Sequence, residues 1–207
     1  MSIQQLMLGV GASKKTYIDD IFSTYLWEGT GSAQNINNGL DLSGEGGMTW
    51  IKGRSVGTAH IITDTVRGAG NRIFSNSYSK SESSTAFLSA FNSNGFSIGN
   101  DNDVSYDDQT FSSWSFRKAP GFFDVVSWTG NGSNRTISHS LGSIPGCILI
   151  KNTSSDENWR VYHKSIGAEK HVILNLSNVA TDSATQFNDT EPTASVFSVG
   201  TDDAVNK

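Results

Sequence analysis

A single cysteine, Cys147, stands in the whole chain, so no disulfide can close within it and the fold cannot depend on one. It sits in the apolar run Cys147-Ile-Leu-Ile150 and is expected to be a buried core thiol. Prolines number only 3 against 21 glycines. Turns must therefore rely on glycine and asparagine, as in Gly44-Glu-Gly-Gly47, Gly130-Asn-Gly132 and Asn94-Gly95. Charged residues are scarce, at 17%, and the net charge of -5 comes without any cluster of lysine or arginine. That balance speaks against nucleic acid or an anionic membrane as the main partner. Long apolar runs are also missing. The start, Met1 to Val10, has no basic leader and too short an apolar stretch for a signal peptide or a membrane span, which predicts synthesis in a cytoplasm without membrane insertion. No Gly-x-Ser-x-Gly elbow, P-loop or glycine-rich dinucleotide fingerprint occurs, so hydrolase, kinase and nicotinamide chemistry have no support and no cofactor is expected.

What the chain does have is a second copy of itself. Residues from Phe22 to Phe116 recur, shifted by about 100 positions, as Phe123 to Lys207. Trp27-Glu-Gly-Thr-Gly31 meets Trp128-Thr-Gly-Asn-Gly132, Ile36 meets Ile137 and Leu40 meets Leu141. After a short deletion, Gly47-Met-Thr-Trp-Ile-Lys52 meets Gly146-Cys-Ile-Leu-Ile-Lys151, Gly68 meets Gly167 and Asn76 meets Asn175. Phe96-Ser-Ile-Gly99 then meets Phe197-Ser-Val-Gly200. A period this long exceeds that of common solenoids and propellers, so each copy reads as a small domain.

The copies read as strands. Met48 to Lys52, Phe122 to Val126, Cys147 to Lys151, Trp159 to Tyr162 and His171 to Leu174 are short, β-branched or aromatic, and bounded by glycine, asparagine or serine. The expected fold is all-β: two tandem β-sandwich-like repeat domains, 22–119 and 120–207, after an N-terminal extension, 1–21. Pro120 and Gly121 mark the hinge between them. In the extension, Ser13 is a candidate cap for a helical turn placing Tyr17, Ile18, Ile21 and Phe22 on one face. Ser81 to Phe91 is the other segment where a helix competes. In copy one the strand-like Gln109 to Phe116 closes the domain; its counterpart in copy two would fall beyond Lys207. Copy two is thus expected to lack its closing strand, to be supplied by a longer polypeptide or by a neighbouring subunit.

Candidate chemistry is thin. Asp101 and Asp103, with Asp107 and Asp108 nearby, are closely spaced carboxylates of the kind calcium prefers. Their spacing is not that of an EF-hand, and the reading set against it is a solvated Asn/Asp turn between strands. His60, His139, His163 and His171 show no ligand spacing. The repeat pairs His60 with Trp159, His163 with Asp64 and His171 with Arg72, so a duplicated histidine site is not kept. Paired carboxylates for glycoside hydrolysis need only meet in space. Of Trp27, Trp50, Trp114, Trp128 and Trp159, at least three are expected to be structural.

The stretches Asn37 to Arg54, Asp64-Thr-Val-Arg-Gly68 and Phe91 to Gly99, followed by Trp128 to Gly132 and His139-Ser-Leu-Gly142, resemble the repeats of phage virion structural and tail-fibre proteins, best known from phages of marine cyanobacteria. The resemblance covers about Tyr17 to Lys207. It implies a non-enzymatic virion component, made in the host cytoplasm and carried on the tail, with the chain forming the N-terminal anchor and shaft of a tail fibre that serves host attachment. Fibres of this kind are commonly homotrimers. Leu6, Met7, Leu8 and Val10 would dock onto other tail proteins, and distal regions would meet host-surface polysaccharide. The alternatives are a lectin-like carbohydrate-binding module and a capsid decoration protein.

Overall fold

The computed structural model describes residues 16–207; Leu6, Met7, Leu8, Val10 and Ser13 lie outside the described residues. The chain enters through one 3-10 turn, Ile18–Asp20, in which the Tyr17 N–H donates to the Asp20 carboxylate at 2.8 Å. Ile21 is buried, but Tyr17 and Ile18 are exposed, so the expected apolar face is not formed. Phe22 instead opens a strand, because an extended neighbour is available to pair with it.

Copy one contains β1 (Phe22–Glu28), β2 (Gln34–Asn37), β3 (Gly47–Gly53), β4 (Ile61–Asp64), β5 (Asn71–Phe74), β6 (Glu82–Ser83), β7 (Leu88–Asn92), β8 (Gly95–Ile98), α1 (Asn102–Ser105) and β9 (Thr110–Arg117). Six strands form an antiparallel sheet in the order β1-β9-β3-β4-β5-β6, and β2-β8-β7 form a second. The last strand in sequence thus enters the sheet between the first and third, pairing Phe22↔Phe116 to Glu28↔Thr110 on one side and Gly47↔Arg117 to Gly53↔Phe111 on the other. Burial alternates along β3, as a strand with one face on the core requires. One buried cluster gathers Ile51, Ile61, Phe74 and Phe111 from the larger sheet with Ile36, Leu88, Phe96 and Ile98 from the smaller. Ser81 to Phe91 is extended, not helical: its second half is β7, a hairpin partner of β8. At that hairpin Gly95 has φ +134°, and a Cβ there would strike the Ile36 carbonyl, so only glycine lets β8 approach β2.

Copy two contains β10 (Arg135–Ser138), β11 (Cys147–Ile150), β12 (Arg160–His163), β13 (Lys170–His171), β14 (Thr181–Asp182), α2 (Ala184–Phe187), β15 (Val196–Val199) and α3 (Asp203–Asn206). Its ladders are the antiparallel pairs β10-β15, β11-β12 and β13-β14. The pairing Ile137↔Phe197 repeats Ile36↔Phe96 of copy one. A second cluster holds Ile137, Ile150, Tyr162, Phe187, Phe197 and Val199. The described chain is therefore all-β, with a few single-turn helices at strand ends.

Three expectations differ from the fold. Phe122 to Val126 forms no strand beyond a bridge of Phe123 to Ala119. Its counterpart β1 draws its hydrogen bonds from β9, and no described residue takes the place of β9 in copy two. Cys147 is exposed, not buried. It lies on β11, which among the described residues pairs with β12 alone, whereas its counterpart Met48 on β3 is paired with both Asp64 and Phe116 and is half-buried. Of His171 to Leu174, only His171 joins a strand, with Val172 bridged to Val161.

Candidate functional site

Each copy is closed by the same clasp. The Trp27 indole N–H donates to the Val104 carbonyl at 3.0 Å, and the Trp128 indole N–H to the Val205 carbonyl at 3.1 Å. Asp101 caps α1 by accepting the Asp103 N–H at 2.8 Å, and Asp202 caps α3 by accepting the Ala204 N–H at 2.9 Å. Short aspartate side chains suit this place because they satisfy N–H groups that the first turn leaves free. The glycine turn closes on the helix end in both, Gly31 N–H to Ser105 and Gly132 N–H to Asn206. Gly31 and Gly132 have φ near +64° and +68°, a conformation that explains their recurrence.

The calcium candidates are otherwise engaged. Arg72 Nη1 lies 2.9 Å from Asp103 Oδ2 and 3.8 Å from Asp101 Oδ1, while its Nη2 lies 2.9 Å from Glu82. The guanidinium also covers the Phe87 ring, 3.3 Å from its centroid. This arginine neutralises the carboxylates at the helix cap and seals the aromatic core beneath them. Among the described residues no group of three or more His, Cys, Asp or Glu is gathered to hold a metal ion.

Copy two solves the same problem differently. Buried His171 stands where Arg72 does, and Ala204 replaces Asp103. The guanidinium comes instead from the neighbouring strand β12: Arg160 Nη2 lies 3.7 Å from Asp202, and its Nε donates to Gln186 at 3.1 Å. Burial, and then the nearby Arg160 charge, hold His171 below the usual histidine range, against the pull of Asp202. Nearby, Tyr162 donates its hydroxyl to Glu191 at 2.6 Å, and burial with this bond raises its pKa. Glu191 also accepts the Ala168 N–H at 2.8 Å, so one carboxylate pins two parts of the second core.

The other histidines stay apart. His60 is held below its usual range by desolvation and by the Lys52 charge. His139 stacks on Phe197 and contacts the Thr193 carbonyl, and His163 accepts the Ser165 N–H, as Asp64 accepts those of Val66 and Arg67 in copy one. At Pro120 and Gly121 the chain turns with Gly121 at φ +73°, its N–H bound to Leu141 at 2.7 Å. Lys118 and Asp124, 2.9 Å apart, tie the two sides of that turn, and Phe122 and Phe123 pack on Phe116.

The tryptophan that sequence reasoning did not place is Trp159. It is 3% exposed, yet its burial is against the other copy: it packs with Ile62 and Ile73, and its indole N–H donates to the Phe74 carbonyl at 2.8 Å. Met48, Trp50 and Leu174 complete the cluster. The available signal was that Trp159 stands where copy one has His60, so its place is not repeated. Ser81 N–H to Thr153 O at 3.1 Å and Lys80 N–H to Asp156 at 2.9 Å add two polar links across the same junction. Beside it runs a cleft of about 360 Å³ lined by Trp50, His60, Asn76, Leu174, Asn175 and Leu176. Trp114 stands edge-on to Trp50, with centroids 6.3 Å apart, and is 39% exposed. Among the described residues no helix is long and apolar enough to cross a membrane.

No curated protein and no solved structure matches the chain. A family model does, over residues 18–207, and so spans both copies. The chain belongs to the family described as Domain of unknown function (DUF7483).

Proposed function

We propose that the chain is a non-enzymatic phage virion component, the N-terminal anchor and shaft part of a tail fibre, built from two tandem β-sandwich-like repeats. The observation that carries this reading is the junction at Trp159. A shaft must transmit force from one repeat to the next, and a buried tryptophan hydrogen-bonded across the junction opposes bending there. The sequence resemblance to tail-fibre repeats points the same way. In this reading the extension, through Leu6, Met7, Leu8 and Val10, docks on other tail proteins, three copies associate, and distal regions meet host-surface polysaccharide with the avidity that symmetry supplies. Cryo-electron microscopy of the particle containing this chain tests it. Threefold density on the tail, attached at the N-terminus, is the expected result; density on the head lattice would make it a decoration protein instead.

A carbohydrate-binding reading is favoured by one specific observation, the cleft where Trp50 stands beside His60, Asn76 and Asn175. Aromatic faces with nearby amides suit sugar rings, which present apolar faces and hydroxyl edges. Titration with host polysaccharide separates the two readings: saturable binding lost in Trp50→Ala supports the lectin-like one.

A further inference from the structure

Copy two keeps the frame that surrounds β9 in copy one, but not β9. The frame is matched bond for bond: Trp27 to Val104 and Trp128 to Val205, Gly31 to Ser105 and Gly132 to Asn206, Gly99 to Phe87 and Gly200 to Gln186. It is matched to its last residue, since a Cβ on Gly29 would meet the Tyr106 and Ser105 backbone and one on Gly130 would meet that of Lys207 and Asn206. Around it, three features are incomplete. Residues 124–129 form no ladder although their counterparts in β1 do. Among the described residues β11 pairs with β12 alone, with Cys147 exposed and Leu149 39% exposed. Trp128 has the edge contact to Phe197 that Trp27 has to Phe96, but not the flat stack that Trp27 makes on Phe111 at 5.6 Å and 15°.

We infer that the space between residues 124–129 and β11 is a receptor site for one antiparallel β-strand of a partner polypeptide, carrying an aromatic residue that stacks on Trp128. The occupant is stated by its chemistry, because copy one shows what fills the equivalent space. In β9 the inward residues are Phe111, Ser113 and Ser115, all buried, and the partly exposed Trp114 faces outward. The register follows from copy one. The aromatic residue sits beside Trp128, as Phe111 sits beside Trp27, and the next two inward residues sit between Val126 and Ile150 and between Asp124 and Ile148. The last place differs between copies. Ser115 accepts the Asn38 amide at 2.8 Å and touches Thr49 at 3.4 Å, but His139 and Ile148 stand at those positions in copy two. An apolar residue of modest size therefore fits there better than serine. Unpaired backbone groups on both sides supply affinity and the alternating side chains supply selectivity. This inference does not depend on the virion reading.

The test uses the 207-residue protein and synthetic peptides carrying its own Gln109 to Arg117 sequence, either unchanged, with Ser115→Val, or with Ser113→Pro. The readouts are tryptophan fluorescence and backbone hydrogen exchange. The expected result is saturable one-to-one binding, tighter for the Ser115→Val peptide and absent for the proline peptide, which cannot complete the ladder. Protection should rise at residues 124–129 and 147–150 and nowhere in β1 or β3. Absence of saturable binding, or protection elsewhere, overturns the inference. So does protection of 147–150 that appears without peptide and grows with protein concentration, since a second copy would then be covering the edge.

Discussion

Trp159 donates its indole N–H to the carbonyl of Phe74, at 2.8 Å, from one copy of the repeat into the other. The bond lies within a cluster that Ile62, Ile73, Met48 and Trp50 supply from copy one and Leu174 from copy two. Part of the outer face of the large sheet is thereby buried in a third apolar cluster. Copy two consequently cannot turn away from copy one without exposing this cluster.

Truncating Trp159 to alanine should cost about 3–5 kcal/mol, the usual range for a buried tryptophan. The loss should couple the copies: hydrogen exchange in β4 and β5 should accelerate along with that in β12. Trp159→Ala with β4 and β5 protection unchanged would show that the junction bears no load.

Trp27→Phe and Trp128→Phe each remove one indole donor and leave one buried carbonyl, Val104 or Val205, without it. Each should cost about 1–3 kcal/mol. The Trp27 variant should be the more damaging, because Trp27 also stacks on Phe111. Urea unfolding midpoints of the two variants check both the size and the order.

Arg72→Met should destabilise by about 1–3 kcal/mol, since Asp103 and Glu82 lose a charge-assisted partner at once. Arg160→Met should cost less, its contact with Asp202 being longer, at 3.7 Å. Equal losses in thermal unfolding would contradict this ranking.

His171 and Lys151 predict pH responses of the same sign in two different windows. The folded pKa of His171 is depressed, so its stabilising effect is fully present above the ordinary value near 6.5 and fades as pH falls below it. A His171→Gln variant should lose less stability than the parent between about pH 6.5 and 5. Burial pushes Lys151 down to about 8, outweighing Asp156 and Glu157. Its folded form gives up the proton before the unfolded chain does, near 10.4, so its penalty is full below pH 8 and is relieved as pH rises toward about 10.4. Lys151→Met should raise the unfolding midpoint at neutral pH, and the gain should shrink at pH 10.

Much of the fold was legible because it follows from local chemistry. Short β-branched and aromatic runs bounded by glycine, asparagine or serine marked β3, β11 and β12, and recurring glycines marked Gly31 and Gly132, where a left-handed backbone is needed whatever lies around it. Recurrence itself announced the two frames, and the closely spaced aspartates at 101 and 103 were visible as a pair. Their task was not. A carboxylate in a loop can bind calcium, cap a helix or meet an arginine, and only the arrival of Arg72 from β5 shows which partner Asp103 has.

The sequence by itself determined that the chain is a duplicated, glycine-turned β protein with no internal disulfide, because composition and periodicity act within a few residues of where they are written. Tertiary structure decided the rest. It left Phe122 to Val126 without a ladder and Cys147 exposed, since a strand exists only where a partner accepts its backbone hydrogen bonds. It moved the guanidinium from β5 in copy one to β12 in copy two, since neighbouring strands can deliver a charge to the same point. It turned Trp159 into a joint, since which surface buries a tryptophan depends on what folding brings against it.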